Sequence, residues 1–353
     1  MTQKFISPRG SGRGPTLKDI AKTLGVSRAT VSRALRGVGR MSPALRERIL
    51  RTSSEMGYKV NYAARALRSR RSNLLGVLVQ EHSHYQIGDL LEGIQDEAQK
   101  NDYSVLIGTI RHDEDMEIRQ IQSMIDKHVD GLLVSPTGTP RGLQLLMDLQ
   151  RDNIHCVSVL EDLAPGRMSS VSVDELLGGF IATQHLFELN HRHILFFGGY
   201  LEDEYFDSRR YVGYCRAHDI YGVVVNPDYR IKCGYTVEEG RRVLLDCIAR
   251  GLEFSAVFTI CDMTAAGAIK GLRDAGLRVP EHVSVVGFDG SNLVSSLFDP
   301  ELTSVSQTLR IIGQEAFRLV HRKIESKSYD PESIVLSPQL HIGKTTALRK
   351  SPL

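Results

Sequence analysis

The 353-residue chain lacks any apolar run of membrane-spanning length, and no segment resembles the hydrophobic region of a signal peptide. Cysteine is scarce. Cys156, Cys215, Cys233, Cys247 and Cys261 are scattered, odd in number and without metal-type spacing, which favours reduced thiols and a cytoplasmic location over a disulfide framework. No phosphate-cradling loop, nucleophile elbow or metal-ligand cluster is present, so neither turnover nor a cofactor is expected. Overall charge is also nearly absent, at +2, but that average conceals a split. Residues 1–75 carry 17 Lys/Arg against Asp19, Glu47 and Glu55, a net of +14, whereas the rest carry 27 basic and 39 acidic groups, a net of −12. A small basic module is fused to a larger acidic one. Basic charge of that density attracts a polyanion and makes binding steeply salt-dependent. The length suits about two or three domains.

What is present begins at Thr16, with TLKDIAKTLGVSRATVSRALRG. Leu17, Ile20, Ala21 and Leu24 recur at helical spacing and form one apolar stripe. Gly25 and Val26 then turn the chain, since glycine accepts a left-handed conformation cheaply. Ser27 is placed to cap a second helix whose apolar side is Val31, Ala34 and Leu35. Arg28, Ala29, Ser32 and Arg33 remain at its exposed start, where a helix laid in the major groove meets base edges. A third helix follows, capped by Ser42 with Pro43 in its first turn and running to Gly57. Before these helices, residues 1–15 read as a flexible basic arm. After them, NYAARALRSRRS has Asn61 as a helix cap and basic Arg65, Arg68, Arg70 and Arg71. So short a helix is marginal alone in water and is expected to fold on DNA.

From residue 74 the texture changes. GVLV (76–79), SVLIG (104–108), GLLVSP (131–136), CVSVL (156–160), ILFFGG (194–199), AVFTICD (256–262) and VSVVGFDG (283–290) read as buried strands. Amphipathic helices separate them; the first carries Ile87, Leu90, Leu91, Ile94 and Ala98 on one face. SSVSVD (169–174) closes one block and the rhythm then repeats. The expected class is α/β: a three-helix helix-turn-helix headpiece followed by two doubly wound parallel subdomains with a cleft beyond the carboxyl ends of the strands.

At this level of detail the chain resembles the LacI/GalR family of bacterial transcription regulators over nearly its whole length. The resemblance is carried by the headpiece string, by MGYKVNYAARALRSRRSNLLGVLV, NDYSVLIG, VDGLLVSP, VSVDELLGG, SRRYVGY, VPEHVSVVGFDG and DPELTSVSQ, in that order. It implies a fold of the periplasmic-binding-protein type with three crossovers between subdomains. The corresponding boundaries are 16–60 for the headpiece, 61–73 for a hinge helix and linker, and 74–353 for effector binding and dimerisation. Within the last, the expected division is 74–172 with 305–331 against 173–304 with 332–353. The resemblance also implies a repressor that binds a near-palindromic double-stranded operator as a homodimer and answers to a small metabolite, expected to be a sugar or sugar derivative. Arg28, Ala29 and Arg33 then read bases: Arg pairs bidentately with guanine and the Ala methyl meets thymine. Ser27, Thr30 and Ser32 face phosphates. Asn61, Ala64 and Leu67 belong to the hinge, with Leu67 wedging into the minor groove.

Several positions depart from the family pattern. Val60 stands in place of proline before the hinge, GKTT in place of Arg-x-Ser-Thr near the end, and TTALRKSPL has no leucine heptads that would tetramerise. Where the family has Asn-Pro-Phe-Phe, the chain reads His84-Tyr85-Gln86-Ile87 after Glu81, His82 and Ser83. Cys261-Asp262 replaces Asn-Asp, and Gly290 replaces the second acid after Asp289. The expected effector contacts are therefore Glu81, His84, Gln86, Arg210, Cys261 and Asp289. Arg210 and Asp289 suit sugar hydroxyls; Arg210 with His82 and His84 suits a carboxylate or phosphate instead. A His82/His84 metal site has too few ligands. His191 and His193 precede a strand and are expected to cover its surface. Two alternatives stay open, a solute-binding protein of a transport system and a regulator answering to a nucleoside or other non-sugar ligand. Arg210→Ala is expected to remove the ligand response and spare DNA binding.

Overall fold

The computed structural model describes residues 15–35, 39–58, 71–80, 84–111, 113–198, 206–290, 294 and 300–350. The chain divides into two compact units, 1–72 and 73–353.

In the first unit, α1 (Leu17–Leu24), α2 (Arg28–Leu35) and α3 (Pro43–Glu55) enclose a small core of Ile20, Ala21, Val31, Ala34 and Ile49. Leu17, Leu24 and Leu35 pack against it only partly buried. Local chemistry fixes each helix end. The Asp19 carboxylate accepts from the Thr16 N–H at 2.8 Å and the Thr16 hydroxyl at 2.7 Å, reinforcing the start of α1. Those two bonds, the hydroxyl first, hold the Asp19 pKa below its ordinary value. Gly25 ends α1 with φ +65°, and the Val26 N–H donates back to the Ala21 carbonyl. Ser42 caps α3 by accepting from the Leu45 N–H at 3.3 Å, with Pro43 at the first helical position.

The second unit holds two six-stranded sheets. Strands β1 (Leu74–Gln80), β2 (Ser104–Ile110), β3 (Gly131–Val134), β4 (His155–Leu160) and β5 (Ser169–Val173) precede β6 (Ile194–Gly198), β7 (Arg230–Lys232), β8 (Ala256–Thr259), β9 (Ser284–Asp289) and β10 (Thr303–Ser306). Two short strands, β11 (Ser333–Leu336) and β12 (Gln339–His341), complete the chain order. The first sheet runs β11-β5-β4-β3-β1-β2, all parallel; the second runs β12-β10-β9-β8-β6-β7, parallel except for the antiparallel β12. Runs such as ILFFG and GLLV are wholly buried, as expected of strands covered on both faces.

Helices α4 (His84–Lys100), α5 (Glu114–Asp126) and α6 (Pro140–Arg151) accompany the first sheet; α7 (Glu175–Glu188), α8 (Phe206–Tyr221), α9 (Val237–Ala249) and α10 (Asp262–Asp274) accompany the second. The late helix α11 (Leu309–Ser326) returns to the first subdomain. Its Ile312, Ala316, Phe317 and Val320 join Leu90, Ile94 and Ala98 of α4 in one core. Arg310 pairs with Asp96 at 2.7 Å and Arg318 with Glu97 at 3.0 Å across the same helix pair.

The chain passes between the sheets three times, after β5, after β10 and after β11. The last of these corrects the expected division. Residues 333–336 were grouped with the second subdomain, yet β11 pairs in parallel with β5 from Ser333↔Ser170 to Leu336↔Val173. The Ser170 hydroxyl donates to that of Ser333 at 3.0 Å, and the Ser169 hydroxyl accepts from the Glu332 N–H at 3.1 Å, so the strand is pinned at its start. Conversely β10, with Val305 and Ser306, lies in the second sheet, and Val173 lies in the first.

Candidate nucleic-acid interface and effector site

The start of α2 presents the residues expected to read DNA. Ser27, Arg28, Ala29 and Arg33 are exposed, while Thr30 and Ser32 are half-buried. Ser27 is the helix cap: its hydroxyl accepts from the Thr30 N–H at 3.0 Å and lies 2.8 Å from the Thr30 hydroxyl. Arg33 leans along its own helix, its Nε donating to the Ala29 carbonyl at 3.4 Å. Burial of Val31 and Ala34 on the opposite face turns the polar side outward. Asn61, Ala64 and Leu67, the expected hinge contacts, lie outside the described residues.

On the second unit, all three crossovers leave the carboxyl ends of β5, β10 and β11, the end of the sheets where ligands of such folds sit. Three of the six expected effector residues fall on these ends or on the helices beside them. Glu81 lies outside the described residues, and the side chains of His84 and Gln86 are likewise not described. Arg210, on α8, is buried, and its guanidinium is held on several sides. Its Nε donates to Glu175 Oε2, Nη2 to Glu175 Oε1 at 3.2 Å, and Nη1 to the Ile260 carbonyl; the Phe288 ring lies 3.7 Å from its central carbon. Burial opposes the Arg210 charge, yet the Glu175 carboxylate, helped by Asp289 and Tyr235, keeps it protonated well above the ordinary arginine range.

The backbone beneath this pair is equally constrained. A Cβ on Gly179 would overlap the Arg210 carbonyl, and one on Gly213 would overlap that of Leu176, so α7 and α8 cross in direct backbone contact. Asp174 caps α7 by accepting from the Leu177 N–H at 3.0 Å, which sets Glu175 in the first turn, beside the first crossover. A carboxylate there also meets the positive end of the helix dipole.

Asp289 ends β9 with φ +116° and accepts from the Gln307 side-chain amide at 2.6 Å. The next residue explains the missing second acid. Gly290 has φ +65° and a Cβ there would overlap Ser306, so a side chain cannot stand at this position without moving β10. Cys261, also an expected ligand contact, is the buried N-cap of α10. Its Sγ accepts from the Thr264 N–H at 3.4 Å, sits 3.0 Å from the Thr264 hydroxyl and lies 3.8 Å from the Tyr235 carbonyl. A cap needs a short side chain with an acceptor, which cysteine supplies as asparagine would. Asp262 beside it is fully buried and accepts from the Ser304 hydroxyl at 2.5 Å.

His191 is also corrected. Rather than covering a strand surface it is buried, with Nδ1 3.0 Å from the Ser255 hydroxyl and Nε2 3.1 Å from the Ala347 carbonyl; His193 Nδ1 lies 2.8 Å from the Tyr229 hydroxyl. The departing GKTT segment is built into the same region. The Thr345 hydroxyl accepts from the Thr303 N–H at 2.9 Å and donates to the Val285 carbonyl at 2.7 Å.

Sequence reasoning missed Glu175 and Gln307 as the partners of Arg210 and Asp289, and the buried Asp262 beside Cys261. Only the position of Glu175 after a capping Asp174 offered any signal, and it does not name Arg210 as partner. Among the described residues no three His, Cys, Asp or Glu side chains stand together as a metal site, and no helix is long and apolar enough to cross a membrane.

Comparison with known proteins matches both units. The family of bacterial regulatory proteins of lacI type matches residues 16–61, and the periplasmic binding protein-like domain matches 183–346. The HTH-type transcriptional repressor CytR of Escherichia coli is 30% identical over 335 residues, 94% of this chain and 97% of that protein. A solved structure of the transcriptional regulator CelR–cellobiose complex superposes with TM-score 0.70 at 28% identity, covering 94% of this chain and 99% of the other. The lac repressor dimer bound to operator and an anti-inducer gives TM-score 0.80 at 22% identity, covering 95% of this chain and all of the other, a likeness of fold. With an exposed helix-turn-helix face on one unit and a two-sheet ligand-binding fold on the other, the chain belongs to the lacI family of bacterial regulatory proteins and is a ligand-controlled, DNA-binding transcriptional regulator.

Proposed function

We propose that the chain is a repressor that binds a near-palindromic operator as a homodimer and changes its operator affinity when a small metabolite, a sugar or sugar derivative, enters between the two sheets of the second unit. The observation that carries this reading is the meeting, at the carboxyl ends of β8, β9 and β10, of Arg210, Asp289 and Gln307 beside two of the three crossovers. A ligand there touches the segments on which the angle between subdomains depends. Control needs only that the ligand favour one arrangement; a factor of 5–150 in affinity corresponds to about 1–3 kcal/mol.

In this reading Arg28, Ala29 and Arg33 contact base edges and Ser32 a phosphate, while Ser27 and Thr30 act first as the helix cap. Asn61, Ala64 and Leu67 serve the hinge. Arg210 and Asp289 shape the effector site together with Glu81, His84 and Gln86, whereas Cys261 acts through the helix it caps. The CelR complex with cellobiose supports a carbohydrate ligand, and the lac repressor dimer on its operator supports twofold assembly. No catalysis is part of this reading, and a bound ligand should be recovered unchanged.

Operator selection from a random duplex pool, followed by titration of the selected DNA with and without each ligand found by thermal shift, tests the proposal. A ligand that binds the protein and alters operator affinity is the expected result. Operator affinity indifferent to every ligand that binds refutes it.

A further inference from the structure

Resting on the reading of this cleft as the effector site, we propose that Glu175 is a specificity-determining residue that reserves the cleft for neutral or cationic ligands and rejects carboxylates and phosphates. The ground is how Arg210 is held. Guanidinium recognises a carboxylate or phosphate best through two parallel N–H bonds from one edge. Here the Nε/Nη2 edge is occupied by Glu175, which is itself buried, with side chains 7% and 4% exposed for Arg210 and Glu175. Nη1 donates to the Ile260 carbonyl, and one face is covered by Phe288 at 3.7 Å. An anion seeking that edge must displace a buried carboxylate already bound there by two hydrogen bonds.

The surroundings add to the same exclusion. Asp289 is buried at the same sheet end and also acts on the Arg210 charge, so the guanidinium faces two carboxylates among the described residues, Glu175 first. Around these buried groups two carboxylates against one guanidinium favour ligand hydroxyl or ammonium donors over further negative charge. Sugar acids and sugar phosphates are thereby separated from their neutral and amino counterparts.

Glu175→Gln tests this in the full-length protein. The substitution keeps the size and one acceptor of the side chain but removes the charge that neutralises Arg210. Inorganic phosphate, relative to chloride at equal ionic strength, should then raise the melting temperature of the variant by more than the general salt effect seen in the wild type. The gain should disappear in Glu175→Gln/Arg210→Met. An affinity for phosphate at least about tenfold higher in Glu175→Gln than in wild type is expected. Phosphate stabilisation of the wild type that depends on Arg210, or no gain in the variant, overturns the proposal.

If Glu175→Gln does not fold, calorimetry on the wild type with a neutral sugar, its amino, acid and phosphate forms decides the matter. Binding preferred by the neutral or amino form supports the assignment, and binding preferred by the acid or phosphate form overturns it. Failure of the effector reading itself looks different: operator affinity would ignore bound ligands while Glu175→Gln still gained phosphate.

Discussion

Arg210→Ala is the perturbation whose expected outcome the structure changes most. From sequence alone it should silence the ligand response and leave the molecule otherwise intact. The buried pair says otherwise, because removing Arg210 leaves the Glu175 carboxylate enclosed beneath α8 with its partner gone. Breaking a buried pair from one side costs about 3–5 kcal/mol, a large share of the roughly 5–15 kcal/mol that holds a domain folded. Glu175→Ala should cost a similar amount for the mirror-image reason. Replacing both, as Glu175→Leu/Arg210→Met, removes the desolvated charges together and should return stability to near the wild-type value. Urea unfolding of the full chain and of Glu175→Leu, Arg210→Met and the double variant carrying both, followed by circular dichroism, closes the cycle and gives the coupling directly. A coupling of several kcal/mol is expected. Single variants that each lose less than about 1 kcal/mol, or whose effects add within about 0.5 kcal/mol, would refute the claim that the two side chains form one buried unit. DNA binding of Arg210→Ala must accordingly be measured below its own melting transition.

Arg28→Ala should lower operator affinity by about 1–3 kcal/mol and relax base preference at one position of each half-site, read by fluorescence anisotropy across single-base operator variants. Ser27→Ala should cost the headpiece about 0.5–2 kcal/mol through loss of the Thr30 cap, seen as an earlier helical transition in thermal melts. His191, held neutral because burial pulls its pKa down to about 4, binds fewer protons folded than unfolded. Its contribution is therefore fully present above about pH 6.5 and lost as pH falls toward 4; His191→Gln should flatten the stability difference between pH 5 and pH 7. Gly213→Ala should separate α7 from α8 and lower the melting temperature, whereas Gly251→Ala, where the structure leaves open space, should act only through its φ of +70°.

What could be read from the sequence, and what could not, follows the range of the interaction that decides each feature. The headpiece is settled by contacts three or four residues apart, Thr16 with Asp19, Ser27 with Thr30, Ser42 with Leu45, so its helix ends stand in the letters themselves. The buried strands announce themselves because both faces are covered. Strand β11 has no such mark: SIVL alternates between exposed and half-buried at a sheet edge, and its partner lies 163 residues away, so its sheet could not be told from its composition. The site divides in the same way. Arg210 and Asp289 were singled out through their motifs, but the partner that holds Arg210 is Glu175, 35 residues away, brought to it by the backbone crossing at Gly179 and Gly213 that sets α7 against α8. A guanidinium read alone predicts affinity for anions. The same guanidinium read with its partner predicts their rejection, and for a regulator of this kind that difference selects which metabolite the DNA-binding unit obeys.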